Sequence, residues 1–280
     1  LAIKPVLDVG TGAQIDAYAR PAIRAEKIGA FALTEPDAGS DVQGIRCAAR
    51  PAGDGWVVNG SKLYITNGTI CDYFVLAART RAERGRDALS LFLVDANTAG
   101  IERRPLDKLG NHSSSTASVS FSDVRLRREC LLGREGGGLA QLKSTLVAGR
   151  IMQAARGLGI AQVAFEKTLA YANQRQAFGQ TIGGFQGVAF QIVEMRAKIE
   201  AARLMVHAAA RAHMRGAEVG DLASLGKVLT ADAVEYAATR AVMLHGGMGY
   251  MEESGIPRLY RDMPESIIGE GAREIQLRIV

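Results

Sequence analysis

Asn59-Gly60-Ser61-Lys62-Leu63-Tyr64-Ile65-Thr66-Asn67-Gly68 is the stretch on which the fold turns. Its second half alternates, which puts Tyr64 and Thr66 on one face of a strand and Ile65 on the other. Similar short runs surround it: Gly55-Trp56-Val57-Val58-Asn59, Tyr73-Phe74-Val75-Leu76-Ala77 and Ser90-Leu91-Phe92-Leu93-Val94. Gly53-Asp54-Gly55, Asn59-Gly60, Asn67-Gly68 and Ala99-Gly100 punctuate them as turns. That spacing predicts an antiparallel sheet, closed as a barrel or stacked as a sandwich, over residues 30–132. Upstream, residues 13–28 are rich in Ala, Ile and Arg and predict a helix kinked or broken at Pro21. Downstream of about Gly138 the period becomes helical. Phe185, Val188, Ile192, Met195, Ile199, Ala202, Val206 and Ala209 step by three and four, one apolar seam on a long helix. A second helix over 219–245 and shorter ones near 252–263 and 271–280 follow. The expected class is α+β and multidomain, in the order helix (1–29), β-domain (30–132), helical bundle (133–280).

Of the 280 residues, 48% are hydrophobic and 22% charged, enough to build a sizeable core. The richest apolar stretch, 201–212, is interrupted by Arg203 and Arg211, so no transmembrane helix is expected. The chain starts at Leu1 and stops in an amphipathic pattern, which reads as a segment of a longer protein. Cys47, Cys71 and Cys130 are odd in number and far apart, pointing to free thiols in a reducing compartment. A net charge of +5 is spread along the chain, without the basic face and module that nucleic-acid binding needs. His207, His213 and His245 lack metal-ligand spacing, and no metal is expected.

Two further motifs carry chemistry. Leu33-Thr34-Glu35-Pro36-Asp37-Ala38-Gly39-Ser40-Asp41 has the composition of a tight loop rich in hydroxyl and carboxylate groups. An aromatic and a hydroxyl side by side, Tyr64 and Thr66, could stack on and hydrogen-bond a planar heterocycle, although an ordinary cross-strand pair has the same pattern.

Taken together and in this order, these stretches resemble the acyl-CoA dehydrogenase family. Asp107-Lys108-Leu109-Gly110, Phe121-Ser122-Asp123-Val124 and Leu132-Gly133-Arg134-Glu135-Gly136-Gly137-Gly138 extend the match. So do Arg175-Gln176-Ala177-Phe178-Gly179 with Phe185-Gln186, His245-Gly246-Gly247-Met248-Gly249-Tyr250, and Gly269-Glu270-Gly271-Ala272-Arg273-Glu274-Ile275-Gln276. The resemblance covers Gly29 to Val280 and implies an up-and-down four-helix bundle at the C-terminus. Residues 1–29 would then be the last helix of a helical N-terminal domain that is otherwise absent.

The resemblance also implies the activity: FAD-dependent α,β-dehydrogenation of an acyl-CoA thioester to the trans-2-enoyl-CoA. Glu270 would remove the α-proton while the β-hydride passes to flavin N5. Phe31, Leu33, Thr34, Gly39, Ser40, Tyr64, Ile65 and Thr66 would contact the flavin. Arg175, Phe178, Gln186, Met243, Gly246, Gly247, Ala272 and Glu274 would hold FAD, several of them that of a neighbouring subunit. Ser40, Arg150 and Gly271 would meet substrate. The other family location for the base falls at Gly149, which has no side chain. Met243, Ala177, Ala272 and Glu274 depart from the residues common in the family and weaken or alter polar contacts to FAD. Gly149 and Gly269 suggest a wide acyl pocket. The implied partners are an acyl-CoA or acyl-carrier-protein thioester and an electron-transferring flavoprotein, in a homotetramer of bacterial cytoplasm or mitochondrial matrix. An acyl-CoA oxidase, a carrier-protein-linked dehydrogenase and a non-catalytic partner subunit remain as alternatives.

Overall fold

A computed structural model describes residues 1–82, 85 and 87–280. They form two compact units: residues 1–108 with 112–145, and residues 109–111 with 146–280.

The first unit opens with helical pieces α1 (Ile3–Val9), α2 (Gly12–Gln14) and α3 (Arg20–Ile23), the last two joined by a π turn over Ile15–Ala19. The expected helix over 13–28 therefore ends at Ile23. Pro21 has no N–H to give Ala17, four residues earlier. Lys27 Nζ donates to that carbonyl at 3.1 Å instead.

Strands β1 (Gly29–Ala32), β2 (Ala48–Ala52), β3 (Gly55–Thr66), β4 (Tyr73–Arg79), β5 (Leu89–Asp95), β6 (Ile101–Pro105), β7 (Thr116–Leu126) and β8 (Leu131–Leu132) make one sheet. Its path is β6-β7-β3-β2-β4-β5-β8, with β1 on β4. The sheet is mixed, because β1 and β2 both pair β4 in parallel. Among the described strands the path is open and mixed, so the expected antiparallel order is not kept, and of the two expected forms, barrel and sandwich, the closed barrel is not formed. Two strand runs also merge. Asn59-Gly60 is a register shift inside β3, not a turn between strands. A side chain at Gly60 would meet Cys47 Cα at 2.6 Å, and the Asn59 side chain pairs with Asp123 instead of closing a hairpin. β4 and β5 are buried on both faces, hence their continuous apolar runs.

The second unit is helical. α4 (Gly138–Gln174), which begins in the first unit, runs into a two-stranded hairpin of β9 (Gln176–Ala177) and β10 (Gln180–Thr181). Then come α5 (Gln186–Met214), α6 (Gly220–His245), α7 (Gly247–Tyr250), α8 (Ile256–Ile268) and α9 (Arg273–Ile279). On α5 the seam residues Ile192, Met195, Ile199, Ala202, Val206 and Ala209 are buried, as periodicity predicts. Of these, Ile192, Met195, Ile199 and Ala202 share a core with Leu158, Ala161 and Phe165 of α4, Val234 and Ala237 of α6 and Leu259 of α8. α9 packs on α6 as well, so the helical unit contains more than a simple four-helix bundle.

Candidate active site

In the first unit, the 33–35 segment and the β3 strand are locked together. Leu63 N–H donates to Thr34 O at 2.8 Å. Lys62 Nζ, fully buried, donates to Leu33 O at 2.9 Å and to Glu35 Oε1 at 2.8 Å. Glu35 also accepts from Arg46 N at 2.7 Å and Cys47 N at 3.0 Å, so its carboxylate is well satisfied inside the fold. Burial pushes Lys62 below the usual lysine range and Cys47 up to about 11. The reverse bridge Glu35–Ala38 closes the loop at Pro36-Asp37 and leaves Gly39 and Ser40 exposed.

β3 then bulges between Lys62 and Ile65, with Tyr64 at φ +59°. A tyrosine in the left-handed region is uncommon and persists only where its surroundings hold it. The bulge keeps Ile65 in the core and turns Tyr64, 67% exposed, and Thr66 outward. Leu33, Thr34, Tyr64, Ile65 and Thr66 therefore lie on adjoining backbone, with Phe31 half-buried at the end of β1.

In the second unit, Glu270 sits between α8 and α9 at φ +57°, followed by Gly271 at φ +93°. Its carboxyl is held above the ordinary range, first by burial and also by Glu265, while Lys227 and Arg150 pull it down. Arg150 is half-buried and lowered by desolvation, with Glu270 opposing that shift. The Arg150 Nε is buried and has no hydrogen-bond partner, a donor left over for a ligand. Gln276, fully buried, donates to Glu270 O at 3.3 Å and Gly271 O at 3.0 Å. Ala272 caps α9 and Glu274 lies exposed in its first turn.

Gly269 has an ordinary φ of −64°. It is glycine for packing: a Cβ there would lie 2.6 Å from Glu265 Oε1 and 2.9 Å from Gln153 Nε2. This packing gives the glycine a steric reason of its own, beside the suggested wide acyl pocket. Gly149 is buried within α4.

A separate cavity of about 390 Å³ in the second unit is lined by Tyr171, Arg175, Met243, His245, Gly246 and Gly247, among others. Gly246 links α6 to α7 at φ +57°, ψ −133°, a conformation reserved almost wholly for glycine. A Cβ at Gly246 or Gly247 would meet no protein atom within 4 Å, so the open backbone leaves room for a ligand. His245 is stacked on Tyr171, with ring centroids 4.4 Å apart, and its Nδ1 lies 2.7 Å from Ala241 O. Burial lowers its pKa, favouring the neutral ring with the proton on Nδ1. Phe178 tips the β9–β10 hairpin at φ +50° and is 96% exposed, while Gln186 starts α5. The open glycine cradle, with Arg175 lining the same cavity, fits the phosphates of a large cofactor.

Lys62, Lys227, Ser224, Gln276, Glu265 and Gln153 were not anticipated as parts of these sites. The signal for the two lysines was present: each sits in an otherwise apolar or alternating run where a charge is costly. Among the described residues no cluster of His, Cys, Asp or Glu suits a metal ion. The three thiols are free, with Cys47 and Cys71 buried. None of the helices described is long and apolar enough to cross a membrane.

Comparison with known proteins fits this architecture. The acyl-CoA dehydrogenase middle-domain family matches residues 30–124, and the acyl-CoA dehydrogenase C-terminal-domain family matches residues 136–280. An acyl-CoA dehydrogenase of Bacillus subtilis is 39% identical over 99% of this chain and 73% of its own length. The caffeyl-CoA reductase-Etf complex subunit CarC of Acetobacterium woodii is 36% identical over 100% of this chain and 74% of its own. Butyryl-CoA dehydrogenase from Megasphaera elsdenii superposes with a TM-score of 0.97 at 37% identity, covering 100% of this chain and 73% of that one. The FAD complex of PigA superposes with a TM-score of 0.96 at 30% identity, covering 99% and 73%. The chain belongs to the acyl-CoA dehydrogenase family and is an FAD-dependent oxidoreductase of that family.

Proposed function

We propose that the protein oxidises an acyl-CoA thioester to its trans-2-enoyl-CoA, with Glu270 as the base that takes the α-proton. The observation that carries this is Glu270 itself: a half-buried carboxyl of raised pKa in a strained turn, fixed from beneath. An α-proton of a thioester is weakly acidic, so a base works best when desolvation brings its pKa nearer the operating pH. The thioester carbonyl needs donors that strengthen as enolate charge develops. The Glu270 backbone N–H is one, so one residue supplies both base and donor. Removing a donor of this kind typically costs about 10²–10³ in rate. Arg150 and Gly271 border the same substrate end, and Ser40 serves the first unit's loop.

FAD, when bound, supplies the hydride acceptor. Toward it we assign Phe31, Leu33, Thr34, Gly39, Ser40, Tyr64, Ile65 and Thr66 in the first unit. Arg175, Phe178, Gln186, Met243, Gly246, Gly247, Ala272 and Glu274 are the contacts of the second. An exposed Phe178 on a strained turn makes little sense for folding alone and suits a cofactor shared with a neighbouring subunit of a homotetramer. The CarC relative's name includes an Etf complex, which supports an electron-transferring flavoprotein as acceptor.

Anaerobic titration of the FAD-loaded protein with a panel of acyl-CoAs tests the reading. Stoichiometric bleaching of the flavin by at least one acyl-CoA, with enoyl-CoA as product, is the expected result. No bleaching by any member of the panel contradicts it.

A further inference from the structure

Lys227 lies on α6 with no exposed surface, among Ala223, Val228 and Ala231. An ammonium in such a place is costly unless its donors are satisfied. If the position needed only volume, Met or Leu would serve. Lys227 Nζ donates to Ile267 O at 2.9 Å and to Gly271 O at 2.6 Å. These two carbonyls bracket Glu270. The first belongs to the last turn of α8, where carbonyls lack helical partners and the helix dipole favours a cation. The second closes the loop before α9.

A second support comes from one turn away on the same helix. Ser224 Oγ donates to Gln276 Oε1 at 3.0 Å, and Gln276 Nε2 donates to Gly271 O at 3.0 Å and Glu270 O at 3.3 Å. α6 thus grips the 267–271 segment at both ends through Lys227 and the Ser224–Gln276 pair. The grip matters because Glu270 is held at φ +57°, which an unsupported glutamate would leave. The buried ammonium also lies in the electrostatic field of Glu270, Glu265, Arg150 and Glu274.

We propose that Lys227, seconded by Gln276, is a positioning residue for dehydrogenation, fixing the left-handed Glu270 backbone so that its carboxylate and N–H meet the substrate together. This rests on the reading of Glu270 as the base. Lys227 is assigned no contact with substrate or cofactor. It acts through the two carbonyls. A misplacement of a reacting group by about 1 Å can cost on the order of 10²-fold in rate.

The experiment compares FAD-loaded wild type with Lys227→Met, Gln276→Met and Glu270→Gln. Anaerobic stopped flow gives the rate constant of flavin bleaching, and titration with an acyl-CoA analogue that has no β-hydrogen gives binding without chemistry. For Lys227→Met the bleaching rate constant should fall on the order of 10²-fold, with the analogue's Kd changed by no more than about three-fold, under 1 kcal/mol. A purely structural role would lower flavin content or thermal stability and leave the bleaching rate of the loaded enzyme as it was. Bleaching within about three-fold of wild type, a barrier change under 1 kcal/mol, overturns the proposal. If Lys227→Met does not load FAD, Gln276→Met decides. A loss of about ten-fold or more, some 1.4 kcal/mol on the barrier, supports the grip, and wild-type bleaching overturns it. Glu270→Gln separates the two layers. If it bleaches like wild type, the base assignment fails; if it is inactive while Lys227→Met is not, only the positioning role fails.

Discussion

Glu270 carries its argument in its own backbone and surroundings. Burial disfavours the carboxylate and Glu265 adds repulsion, while Lys227 and Arg150 offset part of both. The net direction is upward. The proton is therefore released at higher pH than from an ordinary glutamate, and the bleaching rate should rise with pH through an apparent pKa above the usual carboxylate range. A rate independent of pH between about 4 and 8, the span above an unperturbed glutamate, contradicts that. The linked stability runs the other way. A carboxyl whose folded pKa is raised binds more protons folded than unfolded, so this contribution is full below the unfolded pKa and is lost as pH rises through the folded one. Gly269 supplies a second test at this scale. Gly269→Ala forces a methyl toward Glu265 and Gln153 and should cost about 1–3 kcal/mol by overpacking, read as a lower urea midpoint together with slower bleaching. An unchanged midpoint means the segment gives way more easily than its contacts suggest.

β3 shows why parts of the fold were legible in the sequence and parts were not. The alternation of Tyr64, Ile65 and Thr66 survives because Ile65 must stay in the core whatever the backbone does around it. The α5 seam survives for the same reason at a different period. The bulges at 58–60 and 62–65 were hidden, since they depend on Cys47 packing against Gly60 and on the pairing of β3 with β7. The parallel placing of β1 and β2 on β4 was hidden too, because a strand's direction relative to a distant partner leaves no local pattern. Of the proposed site, Glu270 and the glycine turn at 246–247 were legible as motifs. Lys62 and Lys227 were legible only as charges in apolar or alternating runs, while their acceptors, backbone carbonyls and the Glu35 carboxylate far along the chain, were not. Lys62→Met tests the element: it strands the Glu35 carboxylate inside the sheet. Breaking a buried pair costs about 3–5 kcal/mol. Glu35 keeps two backbone donors, so the lower end is expected, read from the denaturation midpoint. Loss of less than about 1 kcal/mol, a surface pair's value, would mean that the buried pair is not what fixes the 33–35 segment.

For the whole molecule, the two units contribute different chemistry: the first an aromatic and hydroxyl surface, the second the carboxylate and the glycine cradle. Helix α5 presents Phe190, Val193 and Leu204 outward, opposite its buried seam. A homotetramer would cover such a stripe, and Val193→Asp with Leu204→Asp should lower the mass found by light scattering. A monomeric wild type contradicts the shared cofactor site. Phe178→Ala removes an exposed ring and should leave thermal stability without FAD unchanged within about 0.5 kcal/mol. FAD retention should fall with it, and with it the stabilisation that saturating FAD gives, about 2.7 kcal/mol at a hundred-fold excess over Kd. Equal stabilisation of mutant and wild type by FAD would remove Phe178 from the cofactor site. In anaerobic stopped flow at matched FAD content, Glu270→Gln should bind acyl-CoA but fail to bleach its flavin on the wild-type timescale, because Glu270 is the residue proposed to take the α-proton. Bleaching of the variant at the wild-type rate would mean that another group takes it.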